Sequence, residues 1–136
     1  MIVGFTGTRK GMTQMQRNTL QALLKRLRLT AGRHGDCVGA DEQFHDICRE
    51  LGAKMHGHPG PDGPLRAGCL FDTSAFPKDY LKRNHDIVNL SDCMIAAPAQ
   101  REEQQRSGTW STVRFAKQIG KLLIMLWPDG EYEMVF

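Results

Sequence analysis

The sequence predicts an α/β protein, a single three-layer domain with a mostly parallel sheet and helices on both faces. Three observations carry this. Short apolar runs recur along the chain, as in "MIVGFTG", "DCMIAAPA" and "LLIMLW". Between them lie segments whose apolar residues repeat at i, i+3 and i+4, the period of a helix buried on one side. The two kinds of segment alternate along the whole chain, and strands joined through helices pair in parallel.

Taken in order, "MIVGFTG" is a short buried strand ending at a glycine turn. Thr13 and Gln16 form a capping-box pattern that starts a helix. Leu20, Leu23, Leu24 and Leu27 give that helix one apolar face and extend it toward Thr30. "RHGDCVGAD" is a strand end and a turn, with Asp41 placed to cap a helix carrying Phe44, Ile47, Cys48 and Leu51 before Gly52 stops it. "AKMHGHP" is a weaker third strand. Residues 59–78 form a long loop rich in proline and glycine, of the kind that serves as a lid or hides a small element. A helix runs from Asp79 through "YLKRNHDIVNL" into "DCMIAAPA", a strand apolar on both faces. The polar stretch "QREEQQRSG" precedes a last helix, "GTWSTVRFAKQIGK", then "LLIMLW" and an alternating tail, "EYEMVF", suited to an edge strand.

The chain has 136 residues, enough for one core and too few for two, so residues 1–136 are read as one domain. Net charge is +3, with lysine and arginine dispersed along the chain. This favours a small anionic ligand and makes nucleic acid an unlikely partner. The longest apolar run is too short to cross a bilayer and no signal-like segment opens the chain, so no membrane association and a cytoplasmic location are expected. Cys37, Cys48, Cys69 and Cys93 form no C-x-x-C pair and are read as reduced thiols. His56 and His58 lack acidic or cysteine partners at ligand spacing, so no metal is assigned. No motif calls for a resident cofactor.

Three glycine-containing turns fall where a strand hands over to a helix: Gly4 to Gly11, Gly35 to Asp41, and Ser107 to Thr112. In a parallel sheet they share one edge, where helix N-termini present amide donors to anions. The candidate ligand-binding residues are Thr6, Gly7, Thr8 and Arg9 in the first turn. Gly35, Asp36, Gly39, Ala40 and Asp41 follow in the second, and Ser107, Gly108, Thr109, Trp110 and Thr112 in the third. Hydroxyls and the forked guanidinium of Arg9 suit phosphate. Asp41 and Glu42 are candidate catalytic carboxylates, with an N-cap as the structural alternative for Asp41. Trp110 either stacks on a base or anchors the last helix in the core. His45 is read as a packing or helix-surface residue, and Arg101 and Arg106 as parts of a segment that closes over a ligand.

Together "GFTGTRKGMT", "HGDCVGADEQFHDI", Arg83 with Asn84, and "SGTWSTVRFAKQIGK" resemble, in that order, the motifs of the SLOG superfamily, which includes the LOG phosphoribohydrolases and the DNA-processing Smf/DprA proteins. The resemblance implies a Rossmann-like fold, nucleotide or nucleotide-derived ligands with phosphate held by the first and last turns, and a site role for Arg83 and Asn84. It also departs from the LOG pattern. Where LOG enzymes carry a catalytic glutamate, this chain reads "SGTWSTVRF", with Arg114 and Phe115 in place of acidic residues.

Three functions follow as expectations. The first is binding of a nucleotide or nucleotide-derived small molecule. Next is a LOG-like hydrolase or transferase acting on an N-glycosidic bond through Asp41 or Glu42. The third is a DNA-binding module of Smf/DprA type. A homo-oligomer is expected from the habit of related folds.

Overall fold

In the computed structural model, which describes residues 1–135, the elements run β1 (Ile2–Gly7), α1 (Gln14–Arg26), β2 (Ala31–His34), α2 (Ala40–Glu50), β3 (Lys54–Gly57), β4 (Thr73–Ser74), α3 (Tyr80–Asn89), β5 (Cys93–Ala97), α4 (Gly108–Gln118), β6 (Leu123–Leu126) and β7 (Tyr132–Val135). The strands form one sheet in the order β4-β3-β2-β1-β5-β6-β7. All neighbours are parallel except β6 and β7, so the alternating tail is an antiparallel edge strand. Phe136, the last residue of that predicted strand, lies outside the described residues.

Period-two alternation in the central strands divides the core between two helical layers. Cys93, Ile95 and Ala97 of β5, with Ile124 and Leu126 of β6, pack among residues of α1 and α2. Met94, Ala96, Leu123 and Met125 point the other way, toward Ile87 and Val88 of α3 and Trp110, Val113 and Ala116 of α4. Phe5 and Phe44 stack within the first cluster with ring centroids 4.5 Å apart.

Several expectations are corrected in detail. α1 stops at Arg26, short of Thr30, because Arg28 takes a left-handed φ of 52° and Thr30 N–H already bonds to Met1 O at 3.0 Å, joining the sheet ladder. Asp41 is not the cap of α2: Gly39 holds that position at φ 91°, with no side-chain cap bond, and Asp41 lies in the first turn. Residues 59–78 contain β4 and an antiparallel bridge between Cys37 and Arg66. They form a strap tied to the β2–α2 turn. The capping box at Thr13 and Gln16 is present as predicted, and Asp79 caps α3 through a 2.9 Å bond from Lys82 N–H.

The chain runs from β1 outward to β4, then returns across the sheet to β5. β1 and β5 are therefore neighbours whose connections leave in opposite directions, and in open α/β sheets the crevice at such a switch point is where ligands bind.

Candidate functional site

An open cleft of about 470 Å³ lies at this switch point, beyond the carboxyl ends of β1 and β5. Its walls include Thr6 to Lys10 from the β1 end, and Gly35, Cys37 and Asp41 from the β2–α2 turn. Arg83, Asn84 and Ile87 of α3 and the 98–110 segment leading into α4 complete them. The structure thus brings together Thr6, Gly7, Thr8, Arg9, Gly35, Asp41, Arg83, Asn84, Ser107, Gly108, Thr109 and Trp110. It leaves Asp36, Gly39, Ala40, Glu42 and Thr112 outside the lining.

Those five have other work. Thr112 donates to Gly108 O at 2.9 Å inside α4. Gly39 is a steric necessity, since a Cβ there would overlap the backbone carbonyl of Arg9. Ala40 is fully buried and its N–H bonds to Thr8 O at 3.0 Å, which takes that amide of α2 away from any ligand. Glu42 is exposed on α2. Asp36 points away from the cleft to the strap, its carboxylate accepting from Cys69 N–H at 2.9 Å and Gly68 N–H at 3.3 Å.

The amide supply differs from the sequence expectation. α1 begins at Gln14, where Thr13 donates to Pro128 O, so its N-terminus is remote from the cleft. In the first turn Thr8 N–H bonds to Ala97 O at 3.0 Å and Gly11 N–H to Thr8 O at 3.1 Å. The start of α4 lies open to the cleft. Ser107 Oγ accepts from Trp110 N–H at 3.3 Å, and the N–H groups of Gly108 and Thr109, both in the lining, have no acceptor within the helix.

Arg83 is the most buried cation in the wall. It is 6% exposed, donates to Asn84 Oδ1 at 2.5 Å, Gly35 O at 2.8 Å, His58 O at 3.2 Å and Cys37 Sγ at 3.4 Å, and lies over the Tyr80 ring. These partners are neutral, and no carboxylate forms an ion pair with it among the described residues. A buried guanidinium held in place by carbonyls keeps its positive charge for another partner. Gly35 permits this, since a Cβ there would collide with the guanidinium.

Asp41 is the one carboxylate in the lining among the described residues. Burial pushes its pKa up to about 6, against the opposing pull of the Cys37 backbone N–H and of Arg83. The Cys37 thiol is raised by burial and by Asp41, which makes it a poor nucleophile at neutral pH. Trp110, 4% exposed, packs against Trp127 in the core while one side faces the cleft, so the core-anchor alternative describes most of its surface.

The segment before α4 is fastened from outside the cleft. Arg101 bridges Asp129 and Glu131, both at 3.1 Å, and lies over Trp127. Arg114, where the LOG pattern has an acidic residue, pairs with Glu103 at 2.8 Å and donates to Gln105 O. It holds this loop and does not line the cleft. Arg106 does line it.

Sequence reasoning missed a second cluster, behind Asp41. His34 Nε2 and His45 Nδ1 are 2.8 Å apart, and both lie with Cys69 within the span of a metal site. Their hydrogen bonds argue for another role. Asp36 N–H donates to His34 Nδ1 at 3.0 Å, so His34 carries its proton on Nε2 and gives it to His45 Nδ1. Both ring lone pairs that face the cluster are thereby used within the protein. His58 similarly accepts at Nε2 from Arg33 at 2.9 Å, and burial followed by Arg33 depresses its pKa to about 4.

No protein-family model matches the chain, and no curated protein is similar to it in sequence. Solved structures are similar in fold. A molybdenum cofactor binding protein from Rippkaea orientalis superposes with a TM-score of 0.72 at 21% identity, covering 93% of this chain and 76% of that one. The Moco carrier protein of Chlamydomonas reinhardtii gives 0.66 at 18%, covering 91% and 74%. DNA processing protein A of Streptococcus pneumoniae gives 0.67 at 20%, covering 90% of this chain, which spans about half of that protein (49%). The likeness is one of fold, a three-layer Rossmann-like α/β domain as the sequence predicted. No helix among the described residues is long and apolar enough to cross a membrane.

Proposed function

We propose that the cleft binds a nucleotide or nucleotide-derived small molecule through its phosphate. The observation that carries this reading is the charge balance of the lining: Arg9, Lys10, Arg83 and Arg106 against the single carboxylate of Asp41. The start of α4 supplies the phosphate seat, with the N–H groups of Gly108 and Thr109 and the hydroxyls of Thr6, Thr8 and Thr109 as donors. Arg83 supplies a fixed cation at the opposite wall, and Phe5, Ile87 and Trp110 give apolar surface for a ring. The DNA-binding reading has no contiguous basic path to support it in the sequence.

A thermal-shift panel tests the proposal. It contains mono-, di- and cyclic nucleotides, ADP-ribose, short single-stranded DNA, and the molybdenum cofactor bound by two of the structural neighbours. Stabilisation by a phosphate-bearing small molecule that is lost in an Arg9→Ala, Thr109→Ala double variant is the expected result. A flat response from every compound removes the reading.

Asp41 favours a second reading, hydrolysis or transfer at an N-glycosidic bond. A buried carboxyl whose pKa lies near 6 can accept a proton from an attacking nucleophile. Asp41→Asn then keeps ligand affinity and abolishes product formation. Equal turnover in both proteins excludes that role.

A further inference from the structure

We infer that His34 and His45 form an acid-sensitive latch that holds the 59–78 strap, and with it the Gly35–Asp41 wall of the cleft, in the closed arrangement. The two rings come from different elements, β2 and α2, and a third, the strap, packs on both through Phe71. Phe71 covers both, 4.8 Å from His34 and 5.0 Å from His45 between centroids.

The latch works because each ring has one proton and the chain of bonds has room for no more. A second proton on His34 must go to Nδ1, where Asp36 N–H already points. One on His45 must go to Nδ1, where His34 Nε2–H already points. Either protonation sets two donors head to head and breaks a bond that the neutral rings make. His34 is fully buried and His45 is 5% exposed, so water cannot replace what is lost.

The surrounding charges mostly reinforce this. Burial and then His45, His58 and Arg83 hold His34 well below its ordinary pKa. His45 is lowered by burial and Arg49, with Asp46 and Asp36 opposing. Asp41 Oδ2, 4.0 Å from His34 Nδ1, is the acid that faces the ring most closely, and it is itself protonated at mildly acidic pH. The remaining neighbour, the Cys69 thiol, is pushed up to about 12 by burial and Asp36, so it stays uncharged.

Release would act on the strap through one residue. Asp36 gives its N–H to His34, its carboxylate to Gly68 and Cys69, and its carbonyl to Ala67 N–H at 2.8 Å, all from a left-handed φ of 56°. Its chain neighbours Gly35 and Cys37 line the cleft. Because the folded rings bind fewer protons than free histidines, the closed form is favoured above about pH 6.5. It loses about tenfold per pH unit below that for each histidine that must charge.

Hydrogen exchange followed by mass spectrometry between pH 7.5 and 5, normalised for intrinsic exchange, tests this on the unmodified protein. Peptides spanning 62–72 are expected to lose protection on acidification while β5 and β6 keep theirs. His45→Gln, whose side-chain oxygen can still accept from His34, is expected to lessen the pH dependence by removing one titrating ring. Constant strap protection, or loss in parallel with β5 and β6, overturns the latch, as does full wild-type dependence in a folded His45→Gln protein. If that variant does not fold, the selectivity of the wild-type loss decides.

Discussion

The two walls of the cleft are built on opposite plans. On the α2 side the polar groups are spent on one another: Ala40 N–H on Thr8 O, Cys37 N–H on Asp41, Asp36 on the strap, and His34 on His45. On the α4 side the backbone donors of Gly108 and Thr109 have no intrahelical acceptor, and Arg106 in the lining has no ion-pair partner among the described residues. One wall fixes shape and the other presents donors. A helix start near a sheet edge is thus not equivalent to an anion seat, because a neighbouring loop carbonyl can fill it first.

Substitutions should separate the walls. The largest effect is expected on the shape-fixing side. Gly39→Ala must place a Cβ against the Arg9 carbonyl at φ 91°, and a loss of about 4 kcal/mol in urea unfolding is expected. A loss below about 1 kcal/mol would mean that the wall yields, and the contrast would fail.

Asp41→Asn should move the other way. Its carboxyl titrates at about 6 when folded and at 3.8 when free, so the folded state binds more protons between these values. The stabilising influence of the neutral form is complete below about pH 4 and lost as pH rises through 6. Removing the charge therefore stabilises by up to roughly 3 kcal/mol at pH 7.5. Thermal unfolding at pH 7.5 and pH 4 should show a raised Tm for the variant only at the higher pH, and equal gains at both would refute the assignment.

On the presenting side the expected costs are small for stability and large for binding. Ser107→Ala removes the cap of α4, a loss of about 1 kcal/mol in chemical denaturation. Arg9→Ala, on an exposed side chain, should change stability by less than about 0.5 kcal/mol while weakening whichever phosphate compound stabilises the wild type, by isothermal titration. A large stability loss with unchanged affinity would reverse the roles given to the two walls.

Much of this was legible in the chain. The unbroken apolar runs in "DCMIAAPA" and "LLIMLW" determined a two-sided core, because neighbouring side chains on a strand face opposite layers. Thr13 with Gln16, and Asp79, set their helix starts through bonds spanning only three residues. The three turns met at one edge, as a parallel sheet requires. Such features are local in sequence or follow from topology, so no distant partner is needed to read them.

What the tertiary structure alone decided was how each polar group is spent. Asp36 and Asp41 are five positions apart in one turn, yet one ties down a strap and the other faces the cleft. Among the described residues Arg83 stands in the cleft wall without a carboxylate partner, whereas Arg114 pairs with Glu103. His34, His45 and Cys69 converge from three separate elements, which no spacing along the chain announces. A hydrogen bond or ion pair depends on a few ångströms between segments far apart in sequence, whereas hydrophobic periodicity needs only the correct face. For that reason the sequence by itself determined the layers and the edge where the cleft lies, and only the folded chain decided which of its donors remain unspent.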